Sequence, residues 1–198
     1  MGRVISSASM SLDGFIAYDD HSPGALFDWY DAGDVEVPNA GTLPPFHLTP
    51  ASAEYWQRWR SGLGCLVVGR TLFDVTDGWT GTHPLGVPVV VLTHEPPADW
   101  SYPGSEDFHF VTTGIGAAIA LARRIAGDGD VGVAAGTVAA QALAAGLLDA
   151  VAIDLVPVVL GSGRRYFGEV SHETAVLGDP EFVLPTERVT HLVFPVAR

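Results

Sequence analysis

Two short runs in the middle of the chain, Cys65-Leu-Val-Val-Gly69 and Pro88-Val-Val-Val-Leu92, contain no polar side chain. A strand with one face in water alternates polar and apolar residues, whereas a strand covered on both faces has no reason to. Runs this short read as central strands of a sheet, and a sheet buried on both sides needs helices on both sides.

The rest of the chain supplies them. Thr49 or Ser52 is placed to cap a helix through about Ser61 that ends near Gly62 and carries Tyr55, Trp56 and Trp59 at helical spacing. That aromatic stripe reads as core, or as an interface if exposed. Gly114 to Ala126 is an amphipathic helix, and Thr137 to Ala145 is an alanine-rich one closing at Gly146. Strand patterns precede them at residues 3–8 and 15–17 and lie between them at 108–111 and 131–134. From Asp149 the pattern changes to Ala150–Val156, then Thr174–Leu177, then Arg188–Phe194, with partial alternation at the end. Alternation there points to antiparallel edge strands. The expected fold class is α/β, a mixed and mostly parallel sheet with helices on both faces and antiparallel C-terminal strands.

With 198 residues, 47% of them hydrophobic, the chain is expected to form a single domain over 1–198. From Asp19 to Pro50 it is rich in Gly, Pro, Asp and aromatic residues, longer than an ordinary connection, and reads as an irregular loop or lid at about 20–48. Its aromatics Phe27, Trp29 and Tyr30 read as packing. Ten Lys+Arg against 23 Asp+Glu leave a formal charge of −13, which argues against nucleic acid and anionic lipid as partners. A phosphate-bearing ligand must then be held locally, by a helix N-terminus and a well-placed Arg. No stretch approaches the ~20 apolar residues of a membrane span and no apolar leader opens the chain, so a cytoplasmic protein is expected. Cys65 is the lone cysteine, which excludes an internal disulfide and a zinc cluster, and no metal is expected.

In an open α/β sheet, ligands gather where strands end and helices begin. Three junctions qualify: Gly69-Arg70-Thr71, Leu92-Thr93-His94 and Ala135-Gly136-Thr137. None is a Rossmann or P-loop fingerprint. Each is weak alone, and together they suit a dinucleotide with several phosphates. Two carboxylates stand out as candidates for acid chemistry or substrate contact. Asp154 interrupts the apolar strand Val151–Val156, where an acid is costly unless paired or used. Asp13 sits in a Leu-Asp-Gly turn, where it can equally bond its own backbone.

The ordered set Ala8-Ser-Met-Ser-Leu-Asp13-Gly14-Phe-Ile-Ala17, Gly69-Arg70-Thr71, Ala135-Gly136-Thr137 and Pro157-Val-Val-Leu-Gly161-Ser-Gly163 resembles the dihydrofolate-reductase superfamily. Within it, the chain is most similar to the reductase domain of bacterial riboflavin biosynthesis and its stand-alone relatives. The resemblance implies NADPH as cofactor, a small-molecule substrate and a homodimer. It implies Arg70 and Thr71 on phosphate oxygens, Thr93 and His94 near the 2′-phosphate, Ala135, Gly136, Thr137 and Val138 around the pyrophosphate, and Ser9 and Ile16 flanking the nicotinamide. It implies hydride transfer to a ribosylamino-pyrimidine-like heterocycle, with Asp13, Asp154, Gly163 and Arg165 beside the substrate, and Arg164 or Arg165 suited to a substrate phosphate. Dihydrofolate or pterin reduction, for which the resemblance implies Glu54, on the helix before the Gly-Arg-Thr strand, as a third candidate proton donor beside Asp154 and Asp13, and a non-catalytic nucleotide binder on the same fold, are the alternatives. One departure matters. The family often has Gly-Gly, frequently cis, where this chain has Ala135-Gly136; a trans bond would weaken the cofactor reading.

Overall fold

The apolar run around Cys65 lies inside an eight-stranded sheet with its side chains buried on both faces. The computed structural model describes residues 2–168 and 174–197. Its strands are β1 (Val4–Ser11), β2 (Phe15–Ala17), β3 (Val35–Val37), β4 (Phe46–Leu48), β5 (Leu63–Gly69), β6 (Val89–Leu92), β7 (Phe108–Val111), β8 (Asp130–Ala134), β9 (Ala150–Val156), β10 (Arg164–Arg165), β11 (Phe182–Thr186) and β12 (Val189–Pro195). Its α-helices are α1 (Pro50–Gly62), α2 (Arg70–Val75), α3 (Ile115–Ala126) and α4 (Thr137–Ala144).

The sheet order is β11-β12-β9-β1-β8-β5-β6-β7. From β9 to β7 neighbouring strands are parallel, whereas β12 on β9 and β11 on β12 are antiparallel. The three-layer α/β expectation therefore holds, including its antiparallel C-terminal strands. On one face Cys65, Val67, Val90, Val131 and Val133 pack against Ala118, Ile119 and Ala122 of α3 and Val138 and Ala142 of α4. On the other, Leu66, Val68, Val89 and Val91 pack against Phe73 of α2 and Trp56 and Trp59 of α1. Successive residues of β5 thus enter opposite layers, which is why the run carries no polar residue. Burial pushes the Cys65 thiol up to about 12, so it is inert filling.

Three differences from the sequence expectation have physical causes. First, β1 runs on to Ser11 because its serines are buried and bonded: Ser6 Oγ lies 3.2 Å from Tyr166 Oη and Ser9 Oγ accepts the Trp29 indole N–H at 3.0 Å. Second, residues 20–48 are ordered. Gly24–Asp31 forms a 3₁₀ helix, β3 and β4 pair antiparallel, and Leu26, Trp29, Val37 and Leu48 form a buried cluster with Val156 and Val189. Third, of the expected strand at 174–177 only Leu177 makes a bridge, to Val196, and the edge position goes to β11. Pro185 lies within β11, where the edge position leaves one side of the strand free of partners and so tolerates proline. Thr49 is the cap of α1, its hydroxyl accepting the Ser52 N–H at 3.3 Å.

Candidate active site

The C-terminal ends of β1, β5, β6, β8 and β9 open on one edge of the sheet into a cleft of about 1630 Å³. Ser9, Ile16, Gly69, Arg70, Thr71, Thr93, His94 and 135–138 all line it, so the expected cofactor residues are brought together.

At one end, Gly69 leads β5 into α2. A Cβ there would lie 2.9 Å from Val138 Cγ2, so the glycine is what allows the end of β5 to approach the first turn of α4. Gly136, at φ +88°, precedes α4, and its N–H donates to the Tyr166 carbonyl at 2.6 Å. The first amides of α4 lack partners within the helix and carry the positive end of its dipole. Ile16 lies beside this turn, its Cδ1 3.9 Å from the Cβ position of Gly136. The Ala135–Gly136 bond is trans, as is every peptide bond among the described residues, which weakens the cofactor reading at this turn. Arg70 spans from α2 to the end of β6. Its Nε donates to Asp74 at 2.7 Å, and its Nη1 reaches the Glu95 carbonyl at 2.6 Å and Thr93 Oγ1 at 3.5 Å. Those bonds fix the guanidinium at the cleft wall.

The other end is aromatic and acidic. Tyr30, Phe46, Tyr55, Trp56 and Trp59 line it, with Tyr30 stacked on Phe46 at 4.2 Å and both set edge-on to Trp56. Trp56 and Trp59 pack inward and do not form an exposed patch for a partner subunit. Among the described residues one buried side-chain donor lacks a partner, Trp56 Nε1. His83 also lines the cleft; its Nδ1 accepts the Leu85 N–H at 3.1 Å, and burial holds its pKa down at about 3, so the ring is neutral.

Asp154 lines the cleft with its side chain 12% exposed. In register it stands between Ser9 on β1 and His191 on β12. Its Oδ1 is 2.6 Å from His191 Nδ1. His191 is fully buried, stacked on Tyr55 at 4.1 Å and edge-on to Trp29 at 5.2 Å. Its Nε2 lies 3.0 Å from Ser52 Oγ, which is 2.9 Å from Thr186 Oγ1. Desolvation, reinforced by the nearby Asp154 carboxylate, pushes the phenols of Tyr30 and Tyr55 up. Tyr166 is also raised, chiefly by burial.

The other two carboxylates are elsewhere. Asp13 does not border the cleft: it accepts from Ser11 Oγ at 2.6 Å, Gly161 N at 2.7 Å and Leu160 N at 3.1 Å, which ties the Leu-Asp-Gly turn to the glycine-rich corner. Glu54 lies on the solvent face of α1, paired with Arg58 at 3.0 Å. Asp13, expected beside the substrate, stands off the cleft because the Ser11 hydroxyl and the Gly161 and Leu160 amides consume its carboxylate, and Glu54, weighed as a proton donor, stands away from it because the helix turns Tyr55 and Trp56 inward instead. Gly163 and Arg165 line the cleft as expected. Arg165 lies over the Phe15 ring at 4.9 Å, and Arg164 donates to the Asp19 carbonyl at 3.2 Å. Sequence reasoning missed His191 as a site residue. The signal was available: alternation along Arg188–Phe194 puts Val189 and His191 on one side, and a buried acid needs a partner.

The family model described as the RibD C-terminal domain matches residues 3–184. No curated protein matches the chain. Among solved structures, a protein described as a riboflavin biosynthesis protein from Shewanella is similar at TM-score 0.71 and 20% identity, covering 99% of each chain. RibD of Acinetobacter baumannii is similar at TM-score 0.65 and 16% identity, over 100% of this chain and 58% of that one. A pyrimidine reductase-like protein of Corynebacterium diphtheriae gives TM-score 0.62 and 13% identity, over 100% and 92%. At these identities the likeness speaks for the fold, and the chain spans little more than half of the Acinetobacter protein.

Proposed function

This chain belongs to the RibD C-terminal domain family, a riboflavin-biosynthesis reductase kind, and on that premise we propose that it is an NADPH-dependent reductase acting on a small heterocycle of the ribosylamino-pyrimidine type. The observation that carries the reading is the meeting, in one cleft, of the three strand-end junctions at Gly69–Thr71, Thr93–His94 and 135–138 with the buried carboxyl of Asp154. A chain of charge −13 has no broad basic surface with which to hold a dinucleotide, so local devices are what it needs. The cleft volume of about 1630 Å³ exceeds the roughly 300–1,000 Å³ usual for one small ligand, which leaves room for cofactor and substrate together.

In this reading Arg70 and Thr71 bind phosphate oxygens, Thr93 and His94 flank the 2′-phosphate, and the amides of Thr137 and Val138 with the turn Ala135–Gly136 hold the pyrophosphate. NADPH, when bound, supplies the hydride. Ser9 and Ile16 flank the ring, and the aromatic wall of Tyr30, Phe46 and Trp56 keeps water from the reacting atoms. Asp154 is the proton donor. The segment 20–48 serves as a built-in wall or lid within a single domain over 1–198. A homodimer in the cytoplasm, and a substrate phosphate near Arg164 or Arg165, belong to the same reading.

The test is cofactor oxidation with 5-amino-6-(5-phosphoribosylamino)uracil-type acceptors beside dihydropterins and quinones. Turnover of the pyrimidine supports the proposal. Turnover of pterins alone favours a pterin reductase, against which the remote Glu54 counts. Tight NADPH binding with no turnover favours an idle nucleotide binder.

A further inference from the structure

Asp154 does not stand alone at the floor of the cleft. Its partner chain of hydrogen bonds runs through His191 Nδ1 and Nε2, Ser52 Oγ and Thr186 Oγ1, and ends on the Val189 carbonyl, 3.1 Å from Thr186 Oγ1. We propose that His191 is a positioning residue that holds one transferable proton against Asp154, so that the pair, not the carboxyl alone, is the acid of the reduction. This rests on the reductase reading above.

Counting hydrogens gives the result. A carbonyl cannot donate, so Thr186 spends its one hydroxyl hydrogen on Val189. Ser52 therefore gives its hydrogen to Thr186, and the oxygen of Ser52 is left to accept from His191 Nε2. With Nε2 protonated, Nδ1 of a neutral ring is bare. A bare Nδ1 held 2.6 Å from an ionised carboxylate oxygen would set lone pair against lone pair in a buried place. The gap must contain a proton. Whether it rides on Asp154 or on His191, the pair is electrically neutral, the state that burial favours.

The same three residue types in the order Ser-His-Asp make a nucleophilic triad in hydrolases. Here the polarity is reversed. Ser52 is 1% exposed and does not border the cleft, while Asp154 does. The exposed end of the relay is an acid, and no nucleophile is presented. The groups packed around the pair offer no rival. Tyr55 from α1, Tyr30 from the segment before β3 and Tyr166 after β10 have phenols raised in pKa and stay neutral, Ser9 opposite Asp154 accepts from Trp29, and the chain has no lysine.

The step balances. The acceptor carbon of a C=N bond gains hydrogen with the electron pair that dihydronicotinamide brings, and the π pair of that bond moves to nitrogen. The nitrogen takes the shared proton through Asp154, leaving a carboxylate beside a neutral His191. That state has the opposed lone pairs described above, so the pair recovers a proton from solvent before the next turnover.

The test joins two measurements on the intact protein. In ¹⁵N-histidine NMR without cofactor, His191 is expected to show a protonated Nε2 and a strongly downfield proton at Nδ1, and the downfield signal should vanish in Asp154→Asn. An unprotonated Nε2, or a downfield signal surviving in Asp154→Asn, overturns the proposal whatever the enzyme reduces. In the second, His191→Phe keeps a ring stacked on Tyr55 and edge-on to Trp29 while removing the proton site. With 5-amino-6-(5-phosphoribosylamino)uracil-type acceptor, kcat should fall roughly 10²-fold, with the NADPH Kd unchanged and the acidic limb of the pH–rate profile displaced. An unchanged profile and kcat refute the relay. No turnover by the wild type sinks the proposed reaction instead, and the NMR measurement still decides the proton.

Discussion

Replacing Arg70 by alanine isolates the cofactor end of the cleft. The guanidinium already spends Nε on Asp74 and Nη1 on the Glu95 carbonyl, so a phosphate meets the remaining donors of a side chain that is held in place and 37% exposed. A hydrogen bond from a charged donor contributes roughly 1.5–3 kcal/mol, and solvent screening at that exposure places Arg70 near the lower figure. About 1.5 kcal/mol corresponds to about tenfold in affinity. Since Arg70 Nη1 sits 3.5 Å from Thr93 Oγ1, the loss falls on the 2′-phosphate side. NADPH should therefore weaken about tenfold in Arg70→Ala while NADH, lacking that phosphate, changes little. Removing the cation also bares Asp74 beside the site, which pushes NADPH affinity further in the same direction. Titration of both cofactors by tryptophan fluorescence or calorimetry at one ionic strength measures the ratio. An NADPH-to-NADH preference equal in wild type and variant would refute the placement of the 2′-phosphate against Arg70, Thr93 and His94.

Glu54→Gln should leave turnover intact and cost at most about 0.5 kcal/mol in urea denaturation, because it breaks only an exposed i,i+4 pair on α1; a large loss of kcat would restore Glu54 as the acid. Asp13 is held down to about 2 from 3.8, first by the Ser11 hydroxyl and then by the Gly161 and Leu160 amides, so its clamp is fully present above about pH 4 and lost as pH falls toward 2. The Tm deficit of Asp13→Asn relative to wild type should accordingly shrink over that window, and a deficit independent of pH would count against the clamp. Gly163 has φ +139° and a Cβ there would sit 2.2 Å from the Ala17 carbonyl oxygen. Gly163→Ala should lower unfolding free energy by at least the roughly 1–3 kcal/mol of backbone strain, and a denaturation curve superimposable on wild type would show the corner is looser than its geometry.

What could be read from the sequence, and what could not, divides by how local the cause is. β5 and β6 were legible because burial on both faces leaves its mark within five residues, and α1 because Thr49 supplies its cap in place. The strand-end residues that line the cleft were legible for a similar reason, since a glycine, a charge and a helix start follow one another along the chain. The hairpin of β3 and β4 was not: its strands have three residues each, and Leu26, Trp29, Val37 and Leu48 follow no single period, so their cluster exists only once Val156 and Val189 close over it. Choosing among the carboxylates also needed distant information, because Asp13 is consumed by amides 147 and 148 residues away. Asp154 shows how far the local signal reaches. A carboxylate in an apolar strand states that a partner exists, and strand pairing then limits where it can be. The residues opposite Asp154 in register are Ser9 and His191, and of these only the imidazole can share its proton. The acid was visible in one strand, but its chemistry belongs to two, and only the register of β9 with β12 joins them.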